Sequence, residues 1–199
     1  QRFKEHHRKQ VNKLSSDQKS LLHLLDLTSS TNVALNGGPG TGKSVVLLTA
    51  VEECFMKCGM LSVIKLSPTN MAANRIEGMT INKFLGIGKN DISTYARNPK
   101  DIVQVLMRQN EDLVEQLRTC VKYIFIDEVG MLCAQELQVL NSVLCCIYAT
   151  HPAEKVRPFG GIKVILVGDV LQVAPVEFQK KQGYYFHSKA FQEGHFVVL

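Results

Sequence analysis

No apolar run in the 199 residues approaches the roughly 20 that a membrane-spanning helix needs, so a helical span is excluded and a soluble chain is expected. Zinc-clamp spacing is also missing. Of the six cysteines (Cys54, Cys58, Cys120, Cys133, Cys145 and Cys146), the first two sit one helical turn apart and the last two lie within an apolar, helix-like stretch. They read as small buried thiols of a reducing compartment, with no structural metal and no disulfide framework expected. Internal repeats and low-complexity tracts are absent. Strong charge is absent too, except at one end. Of the net charge of +5, the first 13 residues carry +4 (Arg2, Lys4, Arg8, Lys9 and Lys13 against Glu5), leaving +1 for the remainder. A basic leader over 1–13 could touch a phosphate backbone, but solvated, flexible terminal charge is the plainer expectation. His6 and His7 have no further ligand nearby and read as solvent-exposed. No signal-peptide pattern is visible, although a sequence starting at Gln1 leaves room for an upstream segment. An intracellular protein is expected, with nucleus, mitochondrion and cytoplasm not distinguished.

What is present begins with Gly37-Gly38-Pro39-Gly40-Thr41-Gly42-Lys43-Ser44, set between a strand-like run (Val33, Ala34, Leu35) and an apolar helix-like run from Val45. Four free residues separate the first glycine from Gly-Lys-Ser, the spacing of a phosphate-binding loop. The glycines let consecutive N–H groups turn inward around an anion, and the following helix adds its partial positive charge. Gly38, Pro39, Gly40, Thr41 and Gly42 would cradle the phosphates of ATP. Lys43 would reach the β- and γ-phosphates, and the Ser44 hydroxyl would hold Mg²⁺.

Two more segments complete this site. Tyr123-Ile124-Phe125-Ile126 is an apolar run ending in Asp127-Glu128. Strands buried on both faces of a parallel sheet read as such unbroken runs, and open α/β sheets bind ligands beyond their carboxyl ends. Asp127 suits the outer sphere of the magnesium ion, and Glu128 the base that aligns and deprotonates the attacking water. Val164–Val167 is a second apolar run, followed by Gly168-Asp169 and, three residues beyond the acid, Gln172. A neutral amide beside the γ-phosphate can report its presence; an ordinary Gly-Asp turn with a solvated Gln172 is the alternative.

Taken in order, these motifs resemble the first RecA-like lobe of a superfamily 1 DNA helicase of the RecD/PIF branch. Leu14-Ser15-Ser16-Asp17-Gln18 resembles the branch's adenine-reading motif, and Gly37–Ser44 its motif I. Leu66 to Ala73 and Gly78 to Gly86 resemble its motif Ia region. Ile126 to Met131 resembles motif II, Pro158 to Pro175 the approach to motif III and the motif itself, and Tyr185 to Phe191 the lobe's closing segment. The chain departs from the pattern at Asn70-Met71, Asn82, Gly130 and Val173-Ala174, mostly where the branch contacts DNA. The resemblance implies an α/β RecA-like P-loop NTPase domain over 14–199, with a mostly parallel sheet and helices on both faces. It further implies that Gln18 reads adenine, and that Pro68, Thr69, Asn70, Thr80 and Asn82 line part of a single-stranded DNA track. Gln172 would relay the phosphate's presence to that track. A second lobe would supply arginines to the transition state, and unwinding would run 5′ to 3′. The alternatives are a nucleotide- or DNA-binding module without turnover, or another P-loop ATPase switch.

Hydrophobic spacing predicts helices near 17–27 (capped by Ser15 or Ser16), from the phosphate loop to about 57, near 72–77, at 80–85 (capped by Thr80), over 100–117 and over 133–148. Strands are predicted at 32–35, 61–66, 123–126, 163–167 and 196–199, with polar loops at 88–98 and 151–161. Phe84 is open to two readings, a base-stacking platform or a core residue. Tyr184-Tyr185-Phe186 reads as packing.

Overall fold

The computed structural model describes residues 2–25, 27–88, 98–149, 157–171 and 183–199. Within them, β1 (Asn32–Asn36), β2 (Val63–Ser67), β3 (Met79–Thr80), β4 (Tyr123–Ile126), β5 (Lys163–Gly168) and β6 (Phe196–Val198) form one sheet in the order β3-β2-β4-β5-β1-β6. Every pairing is parallel. The α/β class expected from the sequence is the class observed.

The sheet has a core on each face, as a parallel sheet must. Alternate residues divide between them. Ile124, Ile126, Val164 and Leu166 point to one side with Phe84, Leu106, Leu117, Leu140 and Phe159. Tyr123, Phe125, Ile165 and Val167 point to the other, against Val46, Leu47, Ala50 and Cys54 of α3 (Lys43–Cys58). Phe84 is fully buried, which settles it as a core residue of α5 (Ile81–Leu85). Tyr185 is likewise buried, edge-on to Phe191. Burial pushes the thiols of Cys54 and Cys133 up to about 12. They therefore stay protonated and act as packing groups rather than nucleophiles; the other four cysteines are half-buried.

The remaining helices are α1 (Arg2–Lys13), α2 (Ser16–Leu24), α4 (Asn70–Arg75), α6 (Pro99–Gln109), α7 (Glu111–Thr119), α8 (Ala134–Tyr148) and α9 (Lys189–Glu193). Three expectations change. The segment predicted as one helix over 100–117 is two, because the Asn110 side chain accepts a hydrogen bond from Leu113 N and caps α7. The leader is helical, and α1 packs on α3. His7 is not solvent-exposed: it is 9% exposed, and its Nδ1 lies 3.1 Å from Glu52 Oε2 on α3. His6, on the next face, does remain largely exposed.

Buried polar groups tie the amino-terminal edge of the sheet to α2. Lys163 Nζ donates to Leu25 O (2.9 Å) and Ser29 O (3.2 Å), satisfying carbonyls just past that helix. Tyr123 Oη donates to Leu27 O, and Asn32 bridges Gly194 O and Val164 N, both at 2.7 Å. The Lys163 and Tyr123 bonds anchor the segment that follows α2 to the sheet.

Candidate active site

The order β4-β5-β1 makes the three motif-bearing strands neighbours, and the register brings them level. Leu166 pairs with both Ile126 and Ala34. Asp127-Glu128, Gly168-Asp169 and the phosphate loop therefore leave the sheet side by side. Gly37 N donates to Gly168 O (3.1 Å), joining two of the tips. Gly168 joins the third: a Cβ there would lie 2.8 Å from Val129 N, so only glycine allows this approach.

The phosphate loop turns into α3 at Gly42, whose φ of +80° favours glycine. Any side chain at that position would also strike Gln18 Nε2. Lys43, the first residue of α3, folds its ammonium over the loop, donating to Gly37 O and to Gly38 O (2.6 Å). Thr41 Oγ1 donates to Gly38 O at 2.9 Å. Gln18 closes a capping box with Ser15: its Oε1 accepts from Ser15 N (3.0 Å), and Ser15 Oγ accepts from Gln18 N (3.2 Å). Gln18 Nε2 reaches Thr41 O at 3.5 Å, so this residue touches the loop that the sequence assigns to phosphate.

Asp127 is buried. Its Oδ1 accepts from Glu128 N (3.0 Å) and its Oδ2 from Arg75 Nη2 (3.1 Å). The same Arg75 nitrogen donates to Glu128 Oε1 at 2.9 Å, and Thr69 Oγ1 donates to Glu128 Oε2 at 3.3 Å. Burial alone would lower the Arg75 pKa, but the two carboxylates more than offset it and hold the guanidinium charged. Glu128 itself has left-handed backbone angles (φ +56°, ψ +41°) ahead of a 3₁₀ turn over Val129–Met131. For a residue other than glycine this costs about 1–3 kcal/mol.

Pro39, Gly40, Gly42, Lys43, Ser44, Thr69, Arg75, Asp127, Glu128 and Asp169 all line one cavity of about 640 Å³, within the range of small-ligand sites. Asp169 is buried, and its Oδ1 accepts from Leu171 N (2.9 Å), closing the turn after β5. Gln172 lies outside the described residues. Arg75 and Met71, both lining this cavity, were not anticipated. Nothing local in the sequence points to Arg75, since its partners are 52 and 53 residues away.

The residues expected along a DNA track also converge. Ser67 pairs with Thr80, which sets Pro68-Thr69-Asn70 beside Thr80–Asn82 at the carboxyl edge of β2 and β3. Thr69 and Thr80 are N-caps, accepting from Ala72 N and Lys83 N at 3.2 Å each. Asn82 Oδ1 is buried without a hydrogen-bond partner among the described residues. Thr69 belongs to both groups, because its hydroxyl also meets Glu128.

Comparison with known proteins identifies the family and the fold. Residues 13–197 match the family model described as PIF1-like helicase. The chain is 30% identical over 183 residues to the ATP-dependent DNA helicase PIF1 of Saccharomyces cerevisiae, covering 91% of this chain and 20% of that protein. It is 30% identical over 189 residues to Pif1 of Bdellovibrio bacteriovorus, covering 94% and 38% respectively. Among solved structures, the Pif1 helicase of Candida albicans superposes with a TM-score of 0.74 at 27% identity, over 94% of this chain and 39% of that one. Bacteroides Pif1 in complex with ADP-AlF3 and single-stranded DNA superposes with a TM-score of 0.69 at 26% identity, over 94% and 42%. The chain thus spans about a fifth to two-fifths of the relatives it matches.

Proposed function

The chain belongs to the PIF1-like helicase family, and from that premise we propose that it is the ATP-binding first motor lobe of an ATP-dependent DNA helicase. The observation that carries this reading is the convergence of Lys43, Asp127 and Glu128 on one cavity beside the phosphate loop. A complete set of this kind favours turnover over mere nucleotide binding. The Ser44 hydroxyl and the buried Asp127 carboxylate offer the hard oxygen donors that suit Mg²⁺, so the residues present fit the ion. When bound with ATP, Mg²⁺ supplies charge neutralisation across the β- and γ-phosphate oxygens.

The chain's own groups would do the rest. Gly38 to Gly42 and the α3 N-terminus hold the phosphates, and Lys43 exchanges its carbonyl partners for phosphate oxygens. Glu128 takes the proton of the attacking water, its carboxylate oriented by the Thr69 hydroxyl. Gln172, following the Asp169 turn, would relay phosphate occupancy to a single-stranded DNA track formed partly by Pro68, Thr69, Asn70, Thr80 and Asn82. The structure of a Bacteroides relative holding both ADP-AlF3 and single-stranded DNA supports that pairing of ligands. A second RecA-like lobe of the same polypeptide, a 5′ to 3′ direction and an intracellular, DNA-containing compartment complete the proposal. It is tested by measuring ATP hydrolysis by the full-length protein with and without single-stranded DNA. Marked stimulation is expected; turnover indifferent to DNA would favour a P-loop switch.

Gln18 would read the adenine edge, since a side-chain amide can pair with both a donor and an acceptor. Gln18→Ala also removes the acceptor for Ser15 N, so absolute affinity mixes two effects and the ATP-to-GTP ratio is the informative readout. ATP binding is expected to weaken more than GTP binding. Equal losses measured by competition against a fluorescent nucleotide would leave Gln18 as a capping residue alone.

A further inference from the structure

We propose that Arg75 is a built-in counter-cation that competes with the divalent metal ion for the Asp127 carboxylate. The inference rests on the ATP–Mg²⁺ reading of this cavity and adds a residue to it.

The geometry is that of a bridging cation. One guanidinium nitrogen, Nη2, lies 3.1 Å from Asp127 Oδ2 and 2.9 Å from Glu128 Oε1. A planar guanidinium is well suited to such paired donation. Each Asp127 oxygen already accepts one hydrogen bond, Oδ1 from Glu128 N and Oδ2 from Arg75 Nη2. A metal ion approaching this buried carboxylate meets a guanidinium charge already seated on Oδ2, and two cations so close repel each other. The arginine can yield, since its side chain is 51% exposed while that of Asp127 is 4% exposed. Its long stem lets the charged head swing into water without burying new charge.

The position of Arg75 gives the exchange a direction. Helix α4 is pinned to the acidic pair at both ends, by the Thr69 cap that donates to Glu128 and by Arg75 in its last turn. Metal binding that displaces Arg75 frees one end of α4. The other end begins at Pro68-Thr69-Asn70, the loop assigned to the DNA track.

The test titrates MgCl₂ into EDTA-treated full-length protein holding a fluorescent ADP analogue, with wild type and Arg75→Gln side by side. The Mg²⁺ midpoint is expected to fall by about threefold to tenfold in the variant, a modest shift because the pair is half-exposed. A midpoint that is unchanged or higher, with nucleotide binding intact, overturns the competition. If wild type binds no analogue at any Mg²⁺ concentration, the nucleotide reading itself fails and this inference falls with it. A second measurement does not depend on the variant's folding. In wild-type protein labelled with ¹⁵N-arginine, the Arg75 side-chain resonance, assigned by its loss in Arg75→Lys, is expected to move when Mg²⁺ joins the ADP complex. A resonance indifferent to Mg²⁺ overturns the proposal.

Discussion

Lys43→Ala in the full-length protein is expected to lower ATP turnover by about 10²-fold or more, the size of effect typical when a donor to developing charge is removed from a closed site. Lys43 begins α3, and its ammonium already bridges two carbonyls at the mouth of the phosphate loop. Phosphate oxygens, bearing formal charge, are stronger acceptors than those carbonyls, so the ammonium gains on exchange. Alanine keeps the helix and its N-terminal partial charge but leaves the γ-phosphate without its point charge. Affinity and rate should both collapse, as read by nucleotide binding and by steady-state hydrolysis. Turnover within about threefold of wild type would remove Lys43 from the reaction, because such contacts carry far more than that.

Glu128→Gln should separate binding from chemistry. The glutamine amide can still accept from Arg75 through its oxygen and present its NH₂ to the Thr69 hydroxyl, so the pocket loses little of its architecture. What it cannot do is take a proton. Hydrolysis is expected to fall by about 10²–10⁴-fold, the usual worth of a positioned general base, while nucleotide affinity stays close to that of wild type. Single-turnover hydrolysis measured beside equilibrium binding checks both halves. A variant that loses ATP but keeps its rate per bound nucleotide would make Glu128 a structural residue.

Much of this site is legible in the sequence, and the reason is local. β4 and β5 are buried on both faces, so their sequences are unbroken apolar runs, and the acids that follow them stand out. The cap of α5 is readable as Thr80 and that of α2 as one of Ser15 and Ser16, of which Ser15 is the one used, because a hydroxyl before a helical stretch satisfies a free N–H. What escapes depends on distant partners or very short elements. β3 has two residues, too few to show a period. The break between α6 and α7 is hidden because apolar spacing continues across Asn110, though Asn110-Glu111-Asp112 is a helix start that could have been read. His7 looks like leader charge because Glu52, which receives it, is 45 residues away. Arg75 is invisible for the same reason, although it forms an ion pair with each of the two acids.

The left-handed backbone at Glu128 has a consequence for how this protein can change over generations. Glycine or asparagine would sit in that conformation more comfortably, and either would shed part of the strain described above. Neither can serve as a base. A population screened only for surviving heat would gain by replacing Glu128, whereas one screened for ATP consumption would lose nearly everything by doing so. The two pressures pull this one position in opposite directions.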